Sequence, residues 1–435
     1  MLGRHKYIAC CGVFSLFTGL LDASRAVGED VKPPDSSGNE PTPPPEGWMA
    51  RWLDPKRAPF LPVPEIATDP NGGTTLGLLP VWLQTDDNNE ISRIIAPDVL
   101  HNQYFGWGAH GRIYSYSSSD EQWSAEGGIK ERVERDFDAE YQTGRQRDTR
   151  WSISYSMIYN RSGTPRFYGI GNRTHQDTET SFTNDEELGQ INIGLNLTHS
   201  WQMLYTSRLQ VTDVLPGAIG GLPSIGTRFA DVTGLGTGKL FRNRFSLIYD
   251  TRDDLTVPSH GVEVISYGGL AGQNGLLNDS LYSEAGADAR GYWPIAARTV
   301  LAAHTAIRYL PSAHDVPFWA LPSVGGGDSE VGGAQVLRGF GEGRFYGRNS
   351  FATTVEVRRT VLSFDSGGSN IDLELSPFVD LGRVFQRSGT FPLGSLHEVY
   401  GVGFRGIAKP FVVGHVDVGY GSEGVAVFTG LNYPF

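Results

Sequence analysis

The chain has 435 residues with a formal net charge of −12, and it contains 56 Gly and 18 Tyr but only 4 Met. The acidic balance argues against nucleic acid as a partner, because nucleic-acid-binding domains carry basic patches. No apolar run reaches the ~18–20 residues of a membrane-spanning helix. Two all-β classes stay open, a soluble protein and a membrane barrel whose strands alternate apolar and polar residues.

The N-terminus predicts a secretory signal peptide, residues 1–26. Basic residues precede an apolar stretch at 7–21, and small residues follow up to a cleavage site after Ala26. Cys10 and Cys11 both fall inside this segment, so disulfides and thiolate metal sites are not expected in the mature chain. The 10 His show no ligand spacing, and we expect neither a metal site nor a cofactor.

Residues 27–73 predict a Pro-rich periplasmic linker and a rim segment. The first part, residues 27–47, is rich in Pro, Ser and acidic residues and cannot bury a core. It is expected to be extended and disordered. The rest is still interrupted by Pro, and Trp48, Trp52 and Phe60 are candidates for contacts with a barrel rim.

From about Thr74 to the end, apolar and polar residues alternate with the period of two that a half-buried strand requires. Residues 151–159 carry Trp, Ile, Tyr, Met and Tyr at odd positions and Ser at the first three even positions. Residues 191–198 and 412–420 separate into two faces in the same way. A membrane barrel turns the apolar face outward, whereas a soluble sandwich turns it inward. The signal peptide and the aromatic end of the chain favour the membrane.

The alternation predicts an all-β fold, a 16-stranded antiparallel transmembrane β-barrel over residues 74–435. The third and fourth strands are weak, because a charged run at 130–136 interrupts the pattern. An even strand count places the long connections on one side, the extracellular one; these are 85–102, 161–185, 214–239 and 311–347. The predicted strands are 74–84, 103–117, 121–131, 133–143, 149–160, 186–199, 201–213, 240–252, 259–272, 279–293, 298–310, 348–361, 371–386, 396–407, 411–420 and 424–435.

The last eleven residues predict the strand that closes the barrel. Odd positions from Val425 to Phe435 are mostly apolar. In a membrane barrel, Tyr433 and Phe435 would belong to the aromatic girdle at the interface. Together with the signal peptide, this end of the chain predicts a bacterial outer-membrane location.

Several motifs resemble one family. The connection between the eleventh and twelfth predicted strands contains Leu337-Arg-Gly-Phe340, the thirteenth strand contains Phe378-Val-Asp-Leu-Gly382, and the fourteenth contains Gly401-Val-Gly-Phe-Arg405. Phe167–Asn172 and Tyr249–Asp253 add two weaker matches. With these motifs, residues from about 60 to 435 resemble the BamA/TamA superfamily of outer-membrane barrels, also called the bacterial surface antigen family, whose hallmark is an Arg-Gly-aromatic loop tip.

The resemblance implies that this loop folds into the barrel and places Arg338 against the strand that carries Asp380. The alternation independently turns Glu356 toward the lumen, beside Thr354 and Arg358. The planar guanidinium can bind a carboxylate with two hydrogen bonds. We call Arg338, Gly339, Phe340, Glu356, Asp380 and Gly382 the lumen lock.

Within the lumen lock, Gly339 is expected to allow a tight turn or a positive φ, and Phe340 is expected to pack inside the barrel. A solvated loop arginine is the alternative interpretation of Arg338. The family also implies that Gly430, Tyr433 and Phe435 form the C-terminal signal by which barrels are assembled.

The sequence departs from the family before the barrel. Assembly and secretion members carry periplasmic POTRA modules there, whereas the segment between Ala26 and Thr74 is Pro-rich and has no helical period. The chain therefore resembles the barrel alone, and docking of a substrate by POTRA modules is not implied.

Three classes of function are considered. The leading hypothesis is a monomeric, non-enzymatic barrel in outer-membrane lipid that inserts or translocates proteins, or lipids, by opening sideways between its first and last strands. Its expected partners are unfolded outer-membrane proteins and periplasmic chaperones or accessory proteins. The alternative is a passive or gated pore, whose acidic lumen would favour cations. An outer-membrane hydrolase is third, because no nucleophile–base pair is visible in the sequence.

Overall fold

A computed structural model describes ten stretches of the chain. The predicted signal peptide and the predicted linker up to residue 59 lie outside the described residues. The described stretches are 60–85, 91–118, 120–144, 147–273, 280–313, 315–366, 369–387, 395–408, 411–430 and 433–435.

One antiparallel sheet of 20 strand segments dominates the described residues. Two segments, Ile91–Ile95 and Asp98–Asn102, follow one another between the same two neighbours and count as one strand. The two-residue segment Arg166–Phe167 only extends the pairing of a longer strand. Eighteen strands of the described chain therefore surround a lumen. They are β1 (Phe60–Asp69), β2 (Gly73–Thr85), β3 (Ile91–Ile95 with Asp98–Asn102), β4 (Gly106–Tyr116), β5 (Gln122–Lys130), β6 (Arg135–Thr143), β7 (Trp151–Ser162), β8 (Thr180–Asn196), β9 (Trp201–Pro216), β10 (Gly236–Asp250), β11 (Gly261–Gly272), β12 (Ser280–Ala296), β13 (Thr299–Tyr309), β14 (Asn349–Ser366), β15 (Ser369–Phe385), β16 (His397–Ala408), β17 (Phe411–Gly421) and β18 (Gly424–Gly430).

Each strand pairs with its neighbours in the sequence, so the order around the sheet is the order along the chain. The ring is completed where β18 comes back beside β1: the N–H of Thr68 donates to Oγ1 of Thr429 at 3.3 Å. We call this junction of β1 and β18 the seam.

The turn between β1 and β2 shows how local sequence sets the register. Oδ1 of Asp69 accepts the N–H groups of Asn71 and Gly72, both at 2.8 Å. This side-chain turn is typical of Asp before a reversal. Gly73 follows with a φ of +68°, which favours glycine. The ladder then pairs Asp69 with Gly73 and continues to Phe60 opposite Trp82.

The two faces of the sheet differ as a membrane barrel requires. On β7, Trp151, Ile153, Tyr155 and Met157 point outward and are 41–64% exposed. Charged and polar side chains of the strands are buried on the other face, including Arg208, Arg244, Glu284, Asp288, His304 and Thr354. The predicted all-β barrel with an apolar exterior and a polar lumen is confirmed.

The predicted count of sixteen strands is too low by two, because two segments outside the predicted strands also form strands. The sequence predicts residues 60–69 as part of the rim segment, but they form β1, so the barrel begins before the predicted boundary at residue 74. Residues 91–102, assigned to a long connection, form β3. Both segments contain Pro, which removes a ladder donor and disguises a strand in sequence. The two weak strands at 121–131 and 133–143 are present as β5 and β6.

The three longest described connections leave the barrel at one end, because an even number of strands separates them. They follow β7, β9 and β13 and span residues 163–179, 217–235 and 310–348. One short helix, Ile225–Arg228, lies in the second of them. Among the described residues, the helices are too short to cross a lipid bilayer.

Candidate functional site

The connection between β13 and β14, residues 310–348, enters the barrel and packs inside it. A 3-10 turn at Phe318–Ala320 and a two-stranded ribbon, Ser323–Val324 with Phe345–Tyr346, shape its two arms. Its apolar side chains form a buried cluster with side chains of β14, β15 and β16: Val324, Val336, Leu337, Phe340, Phe345, Ala352, Phe378, Val384 and Val399. We call residues 310–348 the inner loop.

Arg338 lies at the tip of the inner loop and is fully buried. Its Nε and Nη2 donate to the two carboxylate oxygens of Asp380 at 3.1 and 3.0 Å. Its Nη1 donates to Glu356 at 3.3 Å and to Asp417 at 3.2 Å. The guanidinium also stacks on the Phe378 ring, with its central carbon 3.6 Å from the centroid. All nitrogens of the guanidinium fork thus have partners in the wall.

Electrostatics keep this arginine charged in spite of its burial. Burial lowers the pKa of the Arg338 guanidinium, but Asp380, Asp417 and Glu356 raise that pKa by more, and the net shift is upward. The main-chain N–H of Arg338 also donates to Asp380 at 2.9 Å. Backbone and side chain therefore fix the loop tip to one carboxylate.

Of the two expectations for Gly339, the backbone of the tip makes the tight turn but has no positive φ at Gly339. The residue with a left-handed conformation is Leu337, with a φ of +57°, and Gly339 donates its N–H to the Leu337 carbonyl at 2.8 Å. Gly339 is needed for close approach instead, because a Cβ there would lie 2.6 Å from Cγ2 of Val399. Opposite it, a Cβ on Gly419 would lie 2.2 Å from the Arg338 carbonyl oxygen. Two glycines thus let the loop backbone touch the wall.

The remaining members of the lumen lock lie around this contact. Phe340 is buried and meets Phe345 edge-on, with ring centroids 5.3 Å apart. A Cβ on Gly382 would lie 3.3 Å from Cδ1 of Leu337, so the glycine leaves room for that side chain. Glu356 and Asp380 contact Arg338 directly. The structure brings together all six residues of the lumen lock.

The site is larger than the sequence predicted, because further charged residues join it. Arg405 binds both oxygens of Glu356 at 3.1 and 3.0 Å and Glu374 at 3.0 Å. Nε of Arg358 donates to Glu356 at 2.6 Å. Asp417 is the third carboxylate on Arg338. Residues 412–420 alternate between an apolar face and a polar face, and Asp417 lies on the polar face, so the pattern predicts that it points into the lumen. Glu374 has the same phase as Asp380 on β15, and Arg405 has the opposite phase to the apolar Val402 and Phe404 on β16, so alternation turns both toward the lumen as well, although it does not predict their contacts with Glu356 and with each other.

Residues 433–435 do not lie in an interfacial girdle as predicted. The hydroxyl of Tyr433 donates to Glu374 at 3.1 Å, and Arg358 donates to the Phe435 carbonyl oxygen at 2.8 Å. The N–H of Gln335, on the inner loop, donates to the Pro434 carbonyl at 2.7 Å.

The Phe435 ring is 4% exposed and packs in the lumen with Tyr292, Ala302 and Ala334. β18 ends at Gly430, where a Cβ would lie 2.8 Å from the His415 ring. Residues 431–432 lie outside the described residues. The closing strand is therefore shorter than predicted, and the segment after it binds inside the barrel.

A second charged contact holds the other arm of the inner loop. The Glu330 carboxylate forms ion pairs with three arginines of strands β10 and β13. The N···O distances are 2.5 Å to Arg242, 3.1 Å to Arg244 and 3.2 Å to Arg308. Glu284 of β12 bridges Arg244 and Arg308 at 2.9 and 3.0 Å. Here the wall supplies the cations and the loop the anion, the reverse of the Arg338 contact.

Within the described residues, no group of three or more His, Cys, Asp or Glu side chains is arranged to hold a metal ion. The chemistry available at the site is charge pairing between a loop and a barrel wall.

A family comparison fits this geometry. A sequence model of the Omp85 superfamily domain matches residues 120–411, more than half of the chain. The chain belongs to the Omp85 superfamily. The resemblance to BamA/TamA-type barrels and the bacterial outer-membrane location are thereby confirmed.

Solved structures add the fold of relatives. The Omp85 barrel is similar to BamA from Haemophilus ducreyi lacking POTRA domains 1-3, with a TM-score of 0.50 and 12% identity over 82% of this chain and 75% of that chain. It also matches CdiB from Escherichia coli (TM-score 0.42, 12% identity, 85% of this chain and 62% of that chain). CdiB from Acinetobacter baumannii matches with a TM-score of 0.48 and 12% identity over 82% of this chain and 65% of that chain. The chain thus spans less than two thirds of either CdiB. No protein of curated function matches the Omp85 barrel in sequence.

Proposed function

We propose that this Omp85 barrel inserts proteins into the outer membrane or translocates them across it, with lipids as the alternative cargo. The proposed route is sideways opening at the seam, and the proposed role is not enzymatic. Unfolded outer-membrane proteins and periplasmic chaperones are the proposed partners. The observation that carries the proposal is the short β18, which ends at Gly430 while residues 433–435 are bound in the lumen.

The pairing at the seam supports this route. β1 is paired with β2 along its whole length, from Phe60 to Asp69. Between the described residues of β1 and β18 no such ladder is present: the two strands lie side by side, and the N–H of Thr68 donates to the Thr429 hydroxyl. An edge without a ladder can accept another strand by main-chain hydrogen bonding. β1 is therefore suited to pair with an incoming strand.

The composition of β1 supports an edge role as well. Pro62 and Pro64 lie opposite Pro80 and Leu78 of β2. Because Pro has no N–H, it is confined largely to sheet edges and bulges. A strand with two prolines would form a weak second ladder even if β18 were longer.

The inner loop argues for an opening barrel over a passive pore. Its tip and arms occupy the lumen and are held by Arg338 and Glu330. A cavity of about 440 Å³ is left beside the loop, lined by charged residues that include Glu65, His110 and Arg112. That polar cavity is the feature that favours a gated pore, and a gated pore would require displacement of the inner loop.

Cysteines at Thr68 and Thr429 test the proposal. Both native cysteines lie in the predicted signal peptide, so the new pair would be alone in the mature chain. The purified barrel in proteoliposomes is assayed for assembly of a denatured eight-stranded outer-membrane protein, followed by protease protection of the folded product. A matched control pair replaces Thr305 and Thr353, which face each other on the continuous ladder of β13 and β14.

We expect the oxidised seam pair to abolish assembly, reduction to restore it, and the control pair to have no effect. Full activity with the seam disulfide intact would exclude sideways opening. Ion conductance that is equal in both redox states, without assembly activity, would establish the pore instead.

A further inference from the structure

The inner loop carries a second buried arginine, Arg344, which lies outside the lumen lock. Its side chain is 2% exposed. Nε donates to the two carboxylate oxygens of Glu423 at 2.8 and 3.0 Å, and Nη2 lies 2.5 Å from the first of them. Charge-assisted bonds of this kind are about twice as strong as neutral ones.

The other edge of the Arg344 guanidinium binds a third connection. Nη1 donates to the Thr174 hydroxyl at 2.7 Å and Nη2 donates to the Thr174 carbonyl at 2.9 Å. Its central carbon lies 4.0 Å from the Tyr168 ring centroid and 4.5 Å from that of Phe345. A flat, fully hydrogen-bonded cation between two rings is a built site for arginine rather than a chance surface contact.

The position of Glu423 shows that this contact links the inner loop to the strands at the seam. Glu423 is in the two-residue turn between β17 and β18, so it belongs to the hairpin whose last strand borders the seam. Thr174 belongs to the connection after β7, at the same end of the barrel. Arg344 therefore joins the inner loop, a fixed connection and the seam hairpin in one place.

We propose that Arg344 is a positioning residue that holds the β17–β18 hairpin and keeps the seam closed at the loop end of the barrel. The inference rests on the proposed function in taking the seam as the place of opening. It adds that opening requires Glu423 to leave Arg344, so that displacement of the inner loop and movement of β18 are coupled. Arg338 holds the same hairpin only at Asp417 in the middle of β17, and its other partners Glu356 and Asp380 lie on β14 and β15, whereas Arg344 binds the turn that leads directly into β18.

Lysine could not replace this arginine fully. The contact uses nitrogens of the guanidinium on two sides, toward Glu423 and toward Thr174. An ammonium is a single point charge without that fork. Arg344→Lys should therefore keep the attraction to Glu423 while weakening the link to the fixed connection.

The seam cysteine pair at Thr68 and Thr429 provides the measurement. The redox midpoint of its disulfide against glutathione reports how closely the two strands are held, because a looser seam lowers the effective concentration of one thiol for the other. We expect Arg344→Gln to lower that concentration about tenfold, a shift of about 30 mV for this two-electron couple. Glu423→Gln should give a similar shift, and Arg344→Lys a smaller one.

Non-additivity separates a coupling contact from general destabilisation. Because Arg344 and Glu423 act through one contact, the double variant should shift the midpoint no further than Arg344→Gln alone. The matched control is Arg348→Gln, since Arg348 binds the carbonyls of Leu310 and Pro311 within its own loop. The control should leave the midpoint unchanged, and heat-modified gel mobility should show that each variant is folded.

An unchanged midpoint in Arg344→Gln, or shifts that add in the double variant, would overturn the inference. If Arg344→Gln does not fold, Glu423→Gln carries the same test, because the Glu423 side chain is 19% exposed and tolerates the change more easily. The midpoint is measured without any client protein. An active barrel with a locked seam would therefore refute the proposed function while leaving this coupling to be judged by the midpoint alone.

Discussion

Replacing Arg338 with Ala removes four side-chain hydrogen bonds from the centre of the barrel. Glu356 and Asp417 keep Arg405 nearby, at 3.0 and 3.6 Å. Asp380 keeps the main-chain N–H of residue 338 as a donor but loses a bidentate cation. Breaking a buried charge pair by removing one partner costs about 3–5 kcal/mol. We expect the docking of the inner loop to weaken by that amount, or roughly a hundredfold or more in its equilibrium constant.

The labelling rate of a cysteine introduced at Val336 measures this loss of loop docking. Val336 lies two residues before Arg338 and is buried when the loop is docked, so Val336→Cys should react slowly with a charged maleimide in the parent and at least a hundredfold faster with Arg338→Ala. Arg338→Lys should give a smaller increase, because the charge stays while the fork is lost. Arg348→Ala is the control within the same loop. A labelling rate that Arg338→Ala leaves unchanged, with unchanged bilayer conductance, would refute the role of the lumen lock in holding the loop.

Three further changes test other contacts. Glu330→Gln should loosen the first arm of the inner loop by about 1.5–3 kcal/mol, the value of hydrogen bonds to a charged group, and faster hydrogen exchange at residues 327–334 with unchanged exchange at Arg338 would show it. Gly419→Ala would place a methyl group 2.2 Å from the Arg338 carbonyl oxygen, so it should undock the loop tip at a cost of at least about 1–3 kcal/mol and raise the same maleimide labelling rate; normal labelling would contradict the close approach. Phe435→Ala should lose about 3–5 kcal/mol of lumen packing and lower the temperature at which the folded band disappears on a gel, whereas an unchanged temperature would place Phe435 outside the packed lumen.

The fold could be predicted where the alternation was undisturbed. β7, β8 and β9 were found because each places apolar side chains on one face over many residues. The alternation does not predict β1 and β3, because Pro62, Pro64 and Pro97 are residues typical of linkers and loops. That inference from Pro fails for β1 because an edge strand can carry Pro without losing a ladder, and it fails for β3 because Pro97 falls in the break between its two segments.

The site could be predicted only in part, for a physical reason. Arg338 and Asp380 sit in recognisable motifs, and alternation turned Glu356 inward. Arg344 gave no signal, because its partner Glu423 is 79 residues away and lies in a turn without periodicity. The prediction for residues 433–435 is wrong because it extends the period of two past Gly430, whereas these three residues bind in the lumen.

The sequence separation of the Arg338 contacts has a consequence for biogenesis. Arg338 pairs with Glu356 18 residues on, with Asp380 42 residues on and with Asp417 79 residues on. Contacts of longer separation require larger loop closures and form later. The partners of Arg338 are complete only after β17 has joined the wall, so the loop tip would be fully bound only when nearly the whole chain is in place, although the Glu330 arm can bind β10 and β13 earlier. Docking of the loop tip would then be a late step of assembly, and protection of the buried Val336 position from chemical labelling would mark the completed barrel.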